Sequence, residues 1–191
     1  AFVAVYTGML LMAAENVPLW NTPLLPTLFS VSAFDTGVAL VELVAVLASK
    51  KDPLALKART LMERIVVVLV LLEGVVMAAF LASMLGGDAQ TAIGATAASS
   101  ASLLVSGGLA VCFWGMVVAC GLALPLVMAV AGLVLHGRAK KKPGAGQHGS
   151  GVLMAMGAAG ALVGGCELRF LILAAGVHAD VVAETVRGLI G

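Results

Sequence analysis

Asp35 and Glu42 stand seven residues apart in the run SAFDTGVALVE, with apolar and small neighbours on both sides. Seven residues are two turns of helix, so both carboxyls lie near one helix face. Glu73 stands alone in a second run, VVVLVLLEGVVMAAF. A carboxyl in such surroundings is costly and by default marks a functional site. One cation shares these surroundings, Arg169, in GGCELRFLILAAG. Residues two apart on a helix do not face each other, so Glu167 is a poor partner for it, and an acid on another helix suits Arg169 better. Asp35, Glu42 and Glu73 then form a surplus of acid. A surplus carboxyl in hydrocarbon is most cheaply kept neutral by holding a proton, and a held proton can be exchanged. These three residues are predicted to form a proton relay. The plainer reading, buried groups that satisfy one another, stands beside it.

The surroundings that make these acids unusual are a membrane. The chain is 61% hydrophobic and 11% charged, where soluble domains carry about 25% charged residues. Mean hydropathy is +1.11. Several apolar runs exceed the roughly 18 residues that suggest a span, and none alternates in polarity as a membrane barrel strand does. The expected fold class is an all-α, polytopic transmembrane helix bundle, one integral membrane domain over residues 1–191. A net charge of +1 gives no basic character suited to nucleic acid. Cys112, Cys120 and Cys166 show no CxxC spacing, so no iron–sulfur cluster is expected within this chain, and no other metal site is read.

Five membrane helices are predicted, over residues 1–14, 25–48, 64–85, from 103 or 109 to 135, and 151–177. The first is short for a span and is expected to be the remainder of a longer helix. Pro23 and Pro26 open the second, where a missing N–H does no harm. Residues 54–63, with Lys57, Arg59 and Glu63, read as a surface helix leading into the third. Residues 89–102, rich in Ala, Ser, Thr and Gly, read as a loop with a helical turn. Pro125 is expected to kink the fourth helix. Residues 136–151 form a basic, Gly-rich linker, and residues 178–191 a surface helix. In the fifth helix Gly160 and Gly164 make a GxxxG step suited to close helix packing.

Charge sets the predicted orientation. Lys50, Lys51, Lys57, Arg59 and Arg64 follow the second helix, and Arg138, Lys140, Lys141 and Lys142 follow the fourth. These are nine of the eleven basic residues, so both loops are expected on the cytoplasmic side. The turn PLWNTPLLP, the Asp88 loop and the tail then face outward, and Trp20 and Trp114 fall near the outer interface, where indole rings settle. On a rise of about 1.5 Å per residue, Asp35 is roughly 15 Å below the outer end of its helix and Glu42 about 10 Å deeper. Tyr6 reads either as an interfacial anchor or as a hydrogen-bond donor to a ligand carbonyl. His136, His148 and His178 lie at helix ends or in a loop, at no depth suited to an intramembrane haem, and no haem is expected.

YTG at Tyr6-Thr7-Gly8, PLWNTPLLP at Pro18 to Pro26, SAFDTGVAL at Ser32 to Leu40 and GGCELRFLILAAG at Gly164 to Gly176 together resemble the NrfD type of polysulfide reductase membrane subunits. The motifs cover about 50 residues, and the helix order is similar throughout. The resemblance implies a quinone-reactive subunit of a respiratory complex in the bacterial inner membrane. It implies an extracytoplasmic ferredoxin-like iron–sulfur partner, often with a molybdopterin catalytic subunit, and electron exchange with menaquinone near the outer face without haem. Family members have eight or more spans, so the chain is expected to correspond to the C-terminal half of a larger bundle. Tyr6 matches a tyrosine of the family's quinone site, and Arg169, which keeps its usual setting, is read with Tyr6 and Trp20 as a quinone-binding residue. Trp20 and its turn offer a place for a quinone head or a docking subunit. The acids would then carry protons between the cytoplasm and that site. Two rivals remain: a passive membrane anchor for the soluble subunits, and a small-solute or ion transporter using the same acids.

Overall fold

The computed structural model describes residues 2–14, 17–48, 56–86, 91–139 and 147–176. Its regular elements are helical: α1 (Phe2–Met12), α2 (Leu24–Ala48), α3 (Leu56–Leu85), α4 (Ala92–Val105), α5 (Ala110–Cys112), a π-helical segment (Phe113–Ala123), α6 (Leu124–Ala139) and α7 (Gln147–Ala174). Four stretches are long and apolar enough to cross a membrane: Leu24–Ala48, Thr60–Leu85, Ala110–Leu135 and Gly151–Ala174. α1, at 11 residues, is shorter than the roughly 20 residues that a span needs. Large apolar side chains such as Leu40, Val41, Val44, Val68 and Val75 are exposed, while Asp35, Glu42, Glu63 and Glu73 are buried. Apolar outside and acidic inside is the distribution a hydrocarbon solvent demands. The protein is a multi-pass, all-α membrane protein.

Two sequence expectations change. Residues 92–105 are a helix rather than a loop. Alanine has the lowest cost of entering a helix, and Thr91 caps it, its hydroxyl accepting the Gly94 N–H at 3.1 Å. The serines do not break it because they donate back to their own helix, Ser99 to Thr96 at 2.9 Å and Ser102 to Ser99 at 2.7 Å. Second, α3 begins at Leu56, so Glu63 lies within the helix and is buried instead of facing solvent. The helix expected to kink at Pro125 carries a π-helical segment just ahead of it. Proline has no N–H to donate and its ring crowds the carbonyl four residues back; a widened turn accommodates both. The predicted linker narrows, since α6 runs to Ala139 and α7 begins at Gln147. Glu15 and Asn16, Lys50 to Asp52, Asp88, Lys140 to Lys142 and the predicted tail helix lie outside the described residues.

The described residues divide into two compact units. The first takes those of Ala1–Ser30, Val75–Trp114 and Leu168–Gly191. Its core holds Leu19, Leu25, Phe29, Phe80, Leu104, Leu171 and Ile172, each at most 2% exposed. Here α1 meets the start of α2 closely, and a Cβ at Gly8 would sit 2.6 Å from the Pro26 Cα. The second unit takes Val31–Gly74 and Gly115–Glu167. Within it, Ala39 of α2 packs on Ala158 and Ala161 of α7, and Val66 and Val70 of α3 pack on Ala129 of α6. The glycine step of α7 serves as expected: a Cβ at Gly160 would lie 2.6 Å from the Cys120 carbonyl, and one at Gly121 2.8 Å from the Gly164 Cα. Small residues thus bring α7 to backbone contact with the π-helical segment.

Candidate functional site

The second unit gathers the acids. Asp35 and Glu42 sit seven residues apart on α2, and Glu63 and Glu73 ten apart on α3. All four are at most 5% exposed. Asp35 lies within electrostatic reach of Glu73, and Glu42 within reach of Glu63 and Asp35. The two helices therefore match their acids in antiparallel order, Asp35 with Glu73 and Glu42 with Glu63. Asp35 Oδ1 and Glu42 Oε1 are buried with no hydrogen-bond partner, as is Ser32 Oγ one turn before Asp35. An unsatisfied buried polar atom costs about 1–3 kcal/mol, and more when charged. Two such carboxyls on one face call for a partner outside the protein, such as a water molecule.

Asp35, Glu42 and Glu63 line one hollow. Val66 of α3, Pro125, Met128 and Ala129 of α6, and Met154 and Gly157 of α7 complete its wall. The space open to the centre of a water molecule is about 10 Å3, the room of about one water. It does not take a quinone ring. Glu63 went unrecognised in the sequence as a member of this set. Its neighbours Lys57, Arg59 and Arg64 make its segment read as surface. The structure shows what the sequence does not: Gly132 leaves the place the Glu63 carboxyl occupies, and a Cβ there would lie 2.7 Å from the Glu63 Cδ.

The residues singled out for a quinone all lie in the first unit. Trp20 donates its Nε1–H to the Ile172 carbonyl at 3.0 Å, and a Cβ at Gly176 would press on the indole. Its one donor is therefore committed to holding the turn on α7, and what it offers a ligand is the ring. Arg169 places its guanidinium carbon 5.8 Å from the centre of the Phe29 ring, a cation–π contact. Tyr6, on α1, is 58% exposed. An apolar hollow lined by Leu28, Met77, Phe80, Leu104, Phe113 and Leu171 lies in the same unit. Trp114 donates to the Val105 carbonyl at 2.9 Å and stands edge-on to Phe113. Among the described residues, no group of three or more His, Cys, Asp or Glu is placed to hold a metal ion.

Comparison with known proteins gives one consistent picture. The family described as Polysulphide reductase, NrfD matches residues 1–180. The sequence is 36% identical over 174 residues to the C subunit of polysulfide reductase from Wolinella succinogenes, covering 91% of this protein and 50% of that one. It is 30% identical over 172 residues to protein NrfD of Escherichia coli, covering 90% and 48%. The NrfD homolog of Haemophilus influenzae is 30% identical over 127 residues, covering 66% and 37%. The protein thus spans about half the length of the first two relatives. No solved structure matches it.

Proposed function

The chain belongs to the NrfD family of polysulphide reductases, and from that premise we propose that it is part of the quinone-reactive membrane subunit of a respiratory oxidoreductase complex. In this reading it exchanges electrons between menaquinone and an iron–sulfur partner subunit, with a molybdopterin protein as the catalytic member. It sits in the bacterial inner membrane with its basic loops in the cytoplasm. The observation that carries the reading is the row of buried carboxyls in a membrane bundle, two of them with unsatisfied oxygens beside a water-sized hollow. A passive anchor has no use for them. Quinone reduction takes up two protons with two electrons, and buried exchangeable carboxyls are a supply.

The residues then divide by chemistry. Tyr6, exposed on α1, donates a hydrogen bond to a quinone oxygen. The Trp20 ring and the Arg169 guanidinium supply an aromatic face and a positive charge in the same unit. Asp35, Glu42 and Glu73 hold and pass protons. Asp35→Asn keeps the shape and removes the exchangeable proton. It is expected to slow quinol-linked turnover of the assembled complex at least tenfold while the subunits still co-purify. Full turnover in that variant would remove the relay from the reading.

A further inference from the structure

We propose that the hollow bounded by Asp35, Glu42 and Glu63 holds a water molecule, and that Glu63 is a fourth proton-carrying carboxyl that reaches this water because residue 132 is a glycine. The inference deepens the proton-relay part of the function proposed above and rests on it.

Three observations converge on that hollow. Glu63 is 1% exposed and lines it together with Asp35 and Glu42. Asp35 Oδ1 and Glu42 Oε1, on residues 2% and 4% exposed, have no protein hydrogen-bond partner. The free space takes about one water. One water with two donors and two acceptors can serve both orphaned oxygens, and buried waters are found where such groups need partners. A metal ion is a poorer occupant, because the acids are not placed as a metal-binding group.

Gly132 fixes the third side. A Cβ at that position would run into the Glu63 carboxyl, with Cδ at 2.7 Å. Any larger residue on α6 would push the carboxyl out of the hollow or shut the hollow itself. Gly132 is a positioning residue, and Glu63 the group it positions.

The step that follows is a proton transfer with nothing consumed. The O–H bond of the Glu63 carboxylic acid breaks as the water takes that proton. A different O–H bond of the water breaks as the Glu42 carboxylate takes its proton. The water is regenerated and one proton has moved from α3 to α2. Glu42 lies within electrostatic reach of Asp35, and Asp35 of Glu73, so the charge has further stations on both helices. Glu63 also stands nearest in sequence to Arg64, Arg59 and Lys57, at the basic end of α3.

The test uses the full parent complex in proteoliposomes with three readouts: quinol-linked turnover, quinol-analogue binding, and infrared difference spectra of carboxyl C=O bands after a pH jump in H2O and D2O. The infrared measurement needs no quinol, so the water-carboxyl site and the quinone reading fail separately. Glu63→Gln is expected to lower turnover at least tenfold, to leave quinol-analogue binding unchanged and to remove one D2O-sensitive carboxyl band. Gly132→Ala, which keeps all four acids, is expected to lower turnover and shift that band. Glu167→Gln, in the same unit and away from the hollow, is the control expected to change neither. Wild-type turnover in Glu63→Gln, or a complete set of bands in that variant, would overturn the inference. If Glu63→Gln does not assemble, Glu63→Asp decides: a shifted band supports the site and an unshifted set overturns it.

Discussion

A carboxyl among hydrocarbon side chains must be partnered, neutral or in use. Asp35 and Glu42 each keep an oxygen without a protein partner, which places the weight on the last two. Trp20 is the contrasting case, a polar group fully spent on structure. Its indole N–H spans 152 positions of sequence to reach the Ile172 carbonyl. Trp20→Phe leaves that carbonyl short of a donor, at a cost of about 1–3 kcal/mol. The expected outcome is a lower thermal midpoint of the detergent-solubilised complex with quinol-analogue affinity changed less than twofold. A large loss of affinity with an unchanged midpoint would instead make the N–H a ligand contact. The sequence allowed Asp35, Glu42 and Glu73 to be picked out because each interrupts an apolar run. It hid Glu63, because a charge among Lys57, Arg59 and Arg64 carries the pattern of a solvated face. Only the packing of α3 against α6, with Gly132 opposite, turns that side chain inward.

Helices in lipid associate through close backbone approach and polar contacts rather than through apolar burial. The glycines of α7 and the π-helical segment provide that approach in the second unit. Gly160→Leu brings a side chain onto the Cys120 carbonyl, where even a Cβ would stand at 2.6 Å. Loss of assembly, or a thermal midpoint lowered by several degrees, is the expected result; an unaltered midpoint would mean the two segments do not meet there. The GxxxG step was readable from spacing alone, and so were the bounds of α2, opened by prolines and running to the basic segment. α4 was not, since Ala, Ser, Thr and Gly fit a loop as well as a helix. Its Thr91 cap and the serines' bonds back to their own helix decide the matter. Thr91→Ala removes the cap at a cost of about 1 kcal/mol, expected as faster amide exchange in the first turn of α4 and little change elsewhere. The π-helical segment was anticipated only as a kink, because the residue pattern names the proline but not how the preceding turns relieve it.

At the scale of the whole molecule, the membrane class is set by composition: long apolar runs with nine of eleven basic residues beside two of the loops. The same charges predict the orientation. Lys141→Cys is expected to react with a membrane-impermeant thiol reagent only from the cytoplasmic side, and Asp88→Cys only from the other, in a background without the native cysteines. The reverse pattern would invert the bundle. Family membership supplies the redox context, and the buried acids supply a reason for protons to be handled within this protein. The central claim is that the protein binds a quinone, and a fluorescence-quench titration of a quinol analogue against the intact parent complex, with Tyr6→Phe beside it, tests this most directly. Saturable binding that the substitution weakens at least fivefold is the predicted result. No saturable binding to the intact complex would contradict it.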